Sequence, residues 1–277
     1  MAAIMPHSLP GEWRQGSSAP ATFRAELSDG LATTVHLAAY DLARTEVRVV
    51  ALPQAEPLAS WCGRTSVAEA LVGGFFLREQ ALPLGELRLG GIEWESVPFM
   101  SPWNAVRSCV HIEGGELGIA RRETLPLVPR GDLLQAGPLL VERGRIVVHD
   151  GVDPEGFSAG CEQFDSDITA GRHPRAALGV QDGLALSVTC DGRNAADAGL
   201  TLGELAELMH ALGAHDAINL DGGGSATQVC GTRIVNRPRE LDGTDIRGGR
   251  PIYTALAFTP RTGGAFNGQR PDSLALA

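Results

Sequence analysis

The sequence predicts an α+β fold, a single mixed, β-sheet-rich domain with a few flanking helices. Strand-length apolar runs cut by Gly or Pro recur along the chain. Only one segment sustains helical spacing, Leu202 to about Leu212. Glycine supplies 35 of 277 residues, well above the usual share of about 7%. It shows no three-residue period, which excludes collagen. The excess suits tight turns and loops where backbone lies close to a ligand.

The elements follow in order. Residues 1–22, rich in Pro, Gly, Ser and Ala, are expected to form a loose N-terminal arm. Residues 23–260 form the domain, and 261–277 a polar, Gly-containing tail. Two β-branched apolar runs between Ala32 and Val50 predict early strands. Ser66–Leu77 reads as a short apolar element broken by a Gly-Gly turn. Residues 81–150 carry short strands, ending in a hairpin around Arg143-Gly144. Residues 151–173 are polar and turn-rich, a surface excursion. Ala177–Val180 and Leu184–Cys190, joined by Asp182-Gly183, predict a second hairpin. Thr201 is a natural N-cap with Glu204 three positions on, a capping box for the helix. Gly213 stops it. Ala217–Leu220 is a short strand that runs into Asp221. Strands over Thr227–Cys230 and Pro251–Phe258 close the domain.

Composition bounds the function. Net charge is −10, and all 23 basic residues are arginine. A lysine-free chain has no Schiff-base lysine and no Walker A lysine. The acidic balance argues against nucleic-acid binding and against anionic membranes. Five cysteines with no C-x-x-C spacing argue against a disulfide framework or zinc ribbon and for free thiols in a reducing compartment. No basic stretch followed by an apolar one opens the chain. The longest strongly apolar stretch, Leu71–Leu77, is too short to span a bilayer. A soluble, cytoplasmic protein is expected. The seven histidines are scattered without H-x-x-x-H spacing; His210 and His215 merely flank the helix end. Asp221 and Asp191 could share a cation, but nothing in the spacing specifies one. No metal and no cofactor are expected.

The strongest local signal is NLDGGGSAT, Asn219–Thr227. An apolar strand ends, an acid follows at once, and three glycines come next. Three glycines in a row carry a large entropy cost. That cost makes sense where backbone N–H groups approach an anion or sugar. The plainer alternative is a glycine-rich turn capped by Asp221. Ser225 does not fit a nucleophile elbow, because Thr227 stands where G-x-S-x-G needs glycine. Neither the Walker A nor the dinucleotide fingerprint fits these glycines. CDGR, Cys190–Arg193, again puts an acid at a strand end. RHPR, Arg172–Arg175, leads into a strand. Its arginines suit bidentate phosphate binding, the alternative being surface charges or structural ion pairs. His173 reads as a loop residue. GGFF, Gly73–Phe76, is a turn followed by two aromatics.

Taken as an ordered series, these segments resemble the phosphodiester glycosidase family. The series comprises VGGFF (Val72–Phe76), QAGPLLVERG (Gln135–Gly144), RHPRAALG (Arg172–Gly179), DGR (Asp191–Arg193) and GLTLGELAELMHALGAHDAINLDGGGSAT (Gly199–Thr227). VNRP (Val235–Pro238) and GRPIYTALAF (Gly249–Phe258) complete it. It covers roughly residues 65–260. One position departs from the family pattern: Val72 stands where relatives carry asparagine, removing an amide that could hydrogen-bond sugar or backbone.

The resemblance implies hydrolysis of the sugar–phosphate bond of a sugar-1-phosphodiester, by attack at the anomeric carbon. An N-acetylglucosamine-type sugar and a small-molecule or glycan substrate are expected. Such cleavage needs a carboxyl group near C1 and help for the leaving oxygen. A phosphate monoester, with a second pKa of about 6, needs little acid assistance. Arginines that hold the phosphate can do much of that work. On this reading Asp221 is base or nucleophile, and Asp191 orients or supplies the second carboxylate. Arg175 and Arg193 hold the phosphate. Gly222, Gly223 and Gly224 offer N–H donors, with Ser225 in the same substrate loop. Gly73 and Gly74 form the opposite wall. Asn219 and Asn236 bind sugar hydroxyls or brace the loop. Two other classes compete: a non-catalytic binding domain for sugar phosphates or exopolysaccharide intermediates, and a phosphodiesterase that breaks P–O.

Overall fold

The computed structural model describes residues 20–149, 152–157, 171–231 and 233–261. The sheet-rich α+β architecture read from the sequence is what it shows. The described strands divide among a seven-stranded sheet, two five-stranded sheets and a two-stranded ribbon. Every named strand pair is antiparallel. The strands of the sheet-rich domain thus form several antiparallel sheets. Short hairpin connections, such as Asp182-Gly183, join antiparallel neighbours, whereas parallel strands need long crossovers.

The seven-stranded sheet runs Ala21–Glu26, Ala32–Asp41, Leu184–Cys190, Arg175–Gln181, Asp216–Asn219, Leu139–Glu142, Arg145–Ile146. Its central strands are buried on both faces, so they read as continuous apolar runs rather than alternations. Side chains still alternate with period two. Ala38, Tyr40, Ala176, Leu178 and Ala185 face one core. Leu37, Ala39, Ala177, Leu186 and Val188 face the other.

The second core is roofed by the helix Leu202–Ala211, which buries Leu205, Leu208 and Met209. Its capping box forms as predicted: the Thr201 hydroxyl accepts from Glu204 N, and the Glu204 carboxylate accepts from Thr201 N. The first core lies against a five-stranded sheet ordered Arg233–Ile234, Gln228–Cys230, Glu69–Val72, Pro251–Pro260, Thr45–Pro57. Val72 is fully buried in that core, and its backbone pairs opposite Ala255. Val72 therefore contributes packing.

Several elements went unread in the sequence, among them the short helix Trp103–Val106, another helix and an edge strand. A short helix, Leu58–Thr65, follows directly on Pro57 and buries Leu58, Trp61 and Cys62. A strand, Ala21–Glu26, pairs with Ala32–Leu37 at the sheet edge. Residues 152–157, expected on the surface, place Glu155 and Phe157 fully inside. Ala21 and Thr22, expected in the loose arm, are part of the strand, whereas residues 1–19 of the arm, most of the rest of that excursion and almost all of the tail lie outside the described residues. So does Cys161; the other four cysteines are buried and free.

Candidate active site

The site lies where the seven-stranded sheet and its five-stranded neighbour meet at one end. Arg175 opens its strand opposite Cys190, and Ala177 pairs with Asn219, so Arg175, Asp191 and Asp221 emerge together. The neighbouring sheet ends here too. Gly73 follows its strand Glu69–Val72, donates its N–H to Thr254 O (2.9 Å), and accepts from Asp221 N at 3.0 Å. Gly74 N donates to the Thr254 hydroxyl at 2.9 Å. Gly73 and Gly74 thus form a wall beside Asp221.

Asp221 is partly exposed. Its Oδ1 accepts from Gly222 N at 2.9 Å, and its carboxyl is hydrogen-bonded by Ser225. Desolvation by the surrounding loops pushes the carboxyl up to about 6. Ser225, the Gly222 amide and the nearby charges of Arg250 and Arg78 oppose that rise.

The glycine run does something other than present three free amides. Gly222 N is engaged with Asp221, and Gly223 N donates to Pro174 O at 2.8 Å. What the missing side chains admit is arginine. A Cβ on Gly223, whose φ is +59°, would stand 2.9 Å from Arg193 Nη2 and 3.0 Å from Nη1. A Cβ on Gly224 would stand 2.7 Å from Arg250 Nη2. Two guanidinium groups therefore press on the loop carrying Asp221.

The other predicted residues are mostly tied to backbone. Arg175 is buried; Nε donates to Leu200 O at 3.0 Å and Nη2 to Gly171 O at 3.3 Å. Arg193 has a left-handed backbone (φ +64°). Its Nη1 donates to Arg239 O at 2.9 Å, and Nη2 lies 3.4 Å from His173 Nδ1. Asp191 is buried, its Oδ1 accepting from Arg237 N at 2.7 Å and its Oδ2 lying 3.4 Å from His36 Nε2. Asn236 braces the strand after the loop, accepting from Gln228 N and donating to Ala226 O. Asn219 donates to Gly137 O at 2.9 Å, while its buried Oδ1 has no partner among the described residues.

Sequence reasoning missed Arg250, Glu240 and Arg239. Arg239 is buried and ties the segment after Asn236 to Gly192 O (3.1 Å) and Asp245 (2.8 Å). Arg250 immediately precedes the final strand, as Arg175 precedes its own, and that parallel was the available signal. Among the described residues no group of three or more His, Cys, Asp and Glu is placed to hold a metal ion. No described helix is long and apolar enough to cross a membrane. A surface concavity of about 520 Å³ lined by Glu142, Arg143, Arg145 and Val147 lies at the other end of the sheet. There Arg143 N donates to Asp216.

The sequence profile of the phosphodiester glycosidase family matches residues 65–259, which take in every site residue named above. The chain belongs to the phosphodiester glycosidase family. Among solved structures it is similar to the zebrafish N-acetylglucosamine-1-phosphodiester α-N-acetylglucosaminidase catalytic domain auto-inhibited by its pro-peptide. Identity is 19%, TM-score 0.68, covering 94% of this chain and 87% of that one. A hypothetical protein from Synechocystis gives 18% identity and TM-score 0.60 over 87% of this chain. This chain covers 62% of the Synechocystis protein's length. A putative exported protein from Burkholderia pseudomallei gives 17% and 0.60, covering 83% of this chain and 74% of that one. At these identities the likeness is one of fold. No curated protein sequence matches.

Proposed function

We propose that this phosphodiester glycosidase family member hydrolyses the glycosidic C–O bond of a sugar-1-phosphodiester, with an N-acetylglucosamine-type sugar as the first candidate. The observation that carries the reading is a partly exposed residue, Asp221, whose carboxyl is raised to about 6 beside the charges of Arg250 and Arg78, with the Arg193 guanidinium against Gly223 of the same loop. A carboxyl at about 6 is ionised at neutral pH yet poorly solvated, which suits a base or nucleophile. Either role uses the ionised form. Asp221 either takes a proton from the water that attacks C1, or attacks C1 itself to form a glycosyl ester that water then cleaves; in both cases the C1–O bond breaks and its electron pair leaves on the phosphate monoester. The arginine charges balance the anion as it departs. Asp191, buried and bound to Arg237 N, positions the loop after Asn236. Asn219, buried, braces the strand that leads into the loop through its bond to Gly137 O.

The test is hydrolysis of a sugar-1-phosphodiester panel, starting with UDP-N-acetylglucosamine, in oxygen-18 water with and without EDTA. Free sugar released with unlabelled phosphate and surviving EDTA supports C–O cleavage, because a reducing sugar's C1 oxygen exchanges with water in either case. Label in phosphate, lost with EDTA, moves the assignment to a metal-dependent phosphodiesterase. Binding across the panel with no release moves it to a binding domain.

A further inference from the structure

Three arginines stand at the glycine loop, and one of them, Arg250, is tied to an acidic side chain. The described bonds of Arg175 and Arg193 include the main-chain carbonyls of Leu200, Gly171 and Arg239, with Arg193 Nη2 also 3.4 Å from His173 Nδ1. Arg250 instead gives Nη2 to a side-chain carboxylate, Glu240 Oε2. Arg250 is about one-fifth exposed and Glu240 about one-half, so the pair sits at the mouth of the site. The guanidinium presses against Gly224, and its charge acts on Asp221.

Glu240 sits on a tight turn. Glu240 N donates to Thr244 O (2.9 Å), Gly243 N donates to Glu240 O (3.0 Å), and Asp242 caps Thr244 N. The turn is anchored beside Glu240 by buried Arg239. The backbone at residue 240 is thus fixed, while its carboxylate reaches across to Arg250 on a flexible two-carbon stem.

A carboxylate and a phosphodiester both present two oxygens and one negative charge to a guanidinium fork. We propose that Glu240 is an internal stand-in for the substrate's phosphate. It holds Arg250 in place beside Asp221 when no substrate is bound and must be exchanged for the phosphodiester on binding. This rests on the proposed phosphodiester chemistry at Asp221. The exchange conserves charge: Arg250 trades one monoanion for another. Glu240 thereby sets affinity, because every phosphodiester competes with it, and selects against ligands too weakly charged to displace it.

The experiment is calorimetric binding of inorganic phosphate to the full chain and to Glu240→Gln and Arg250→Gln, with thermal midpoints as a folding check. Glu240→Gln is expected to bind phosphate about fivefold tighter, the size of a partly exposed ion pair released from competition. Arg250→Gln is expected to lose that gain and bind at least about tenfold more weakly than wild type. Glu240→Ala, folded to the same midpoint, should reproduce the Gln result. Unchanged or weaker phosphate binding in both Glu240 variants overturns the proposal and makes Glu240 a brace for Arg250. So does the absence of saturable phosphate binding in wild type and variants alike. Tighter phosphate binding without hydrolysis of any sugar phosphodiester keeps the exchange site and removes the glycosidase reading instead.

Discussion

Asp191 and Asp221 look alike in the sequence. Each follows the last residue of an apolar strand and precedes a glycine, and their strands lie in one sheet. The structure separates them by where their hydrogen bonds go. Asp191 is buried, and its oxygens serve distant parts of the chain, Arg237 N on one side and His36 on the other. Among the described residues, the Asp221 carboxyl is hydrogen-bonded from within its own loop, by Gly222 and Ser225, and the residue is partly exposed among cations. An acid whose acceptors are consumed by long-range contacts is spent on the fold. An acid held locally and poorly solvated keeps capacity for a reacting atom.

The sharpest way to break this contrast is to remove each carboxylate in turn. Asp221→Asn is expected to lower kcat by about 10³-fold or more while leaving the fold intact. The readout is turnover on the best panel substrate beside the circular dichroism spectrum. Near-normal turnover would sink the assignment. Asp191→Ala is expected to act the other way. Loss of a buried acceptor that pairs with Arg237 N and His36 costs about 2–4 kcal/mol of stability, read by denaturant unfolding. Activity per folded molecule should fall less than about tenfold. A stable, folded Asp191→Ala protein without activity would make Asp191 the second reacting carboxylate.

A subtler test uses pH. The folded Asp221 carboxyl titrates near 6, above its ordinary value of 3.8. Between those values the folded state binds more protons than the unfolded one, so stability falls as pH rises through the window. Above it the full penalty of holding a charged Asp221 is present. Asp221→Asn removes that penalty. The variant should be more stable than wild type at pH 8, by about 1–2 kcal/mol once partial exposure is allowed for. Well below 3.8, at about pH 2.5, the difference should vanish, because both states then hold the proton. Equal stability at both pH values would mean the carboxyl is better solvated than the loops around it imply.

Much of this is legible in the sequence, for physical reasons that differ by element. The Asp182-Gly183 hairpin and the Thr201–Glu204 capping box are local devices, satisfied by residues two or three apart, so spacing alone reveals them. The loop Asn219–Thr227 was conspicuous because a glycine run is costly unless something must come close. What came close was invisible. Arg193 and Arg250 reach Gly223 and Gly224 across long stretches of chain, and no periodicity encodes that contact. The helix Leu58–Thr65 was missed because it has no side-chain N-cap and spans barely two turns, so packing rather than pattern sustains it. The strand Ala21–Glu26 was missed because it borders a Gly- and Pro-rich stretch and lies at a sheet edge, with several exposed positions.

Ser225 gives the smallest and most diagnostic effect. It is buried, too far from a nucleophile-elbow pattern to attack, yet its hydroxyl bonds the Asp221 carboxyl. That bond favours the ionised form, so Ser225→Ala should raise the Asp221 titration above 6. One hydrogen bond of about 0.5–1.5 kcal/mol corresponds to about 0.4–1 pH unit. The acid limb of kcat/KM, which reports the free enzyme, should move up by that amount. At pH 8 and above, where Asp221 is ionised in both proteins, rates should agree within about threefold. A limb that moves down would mean Asp221 works in its protonated form, as an acid on the leaving oxygen. A large loss at every pH would place the Ser225 hydroxyl against the substrate itself.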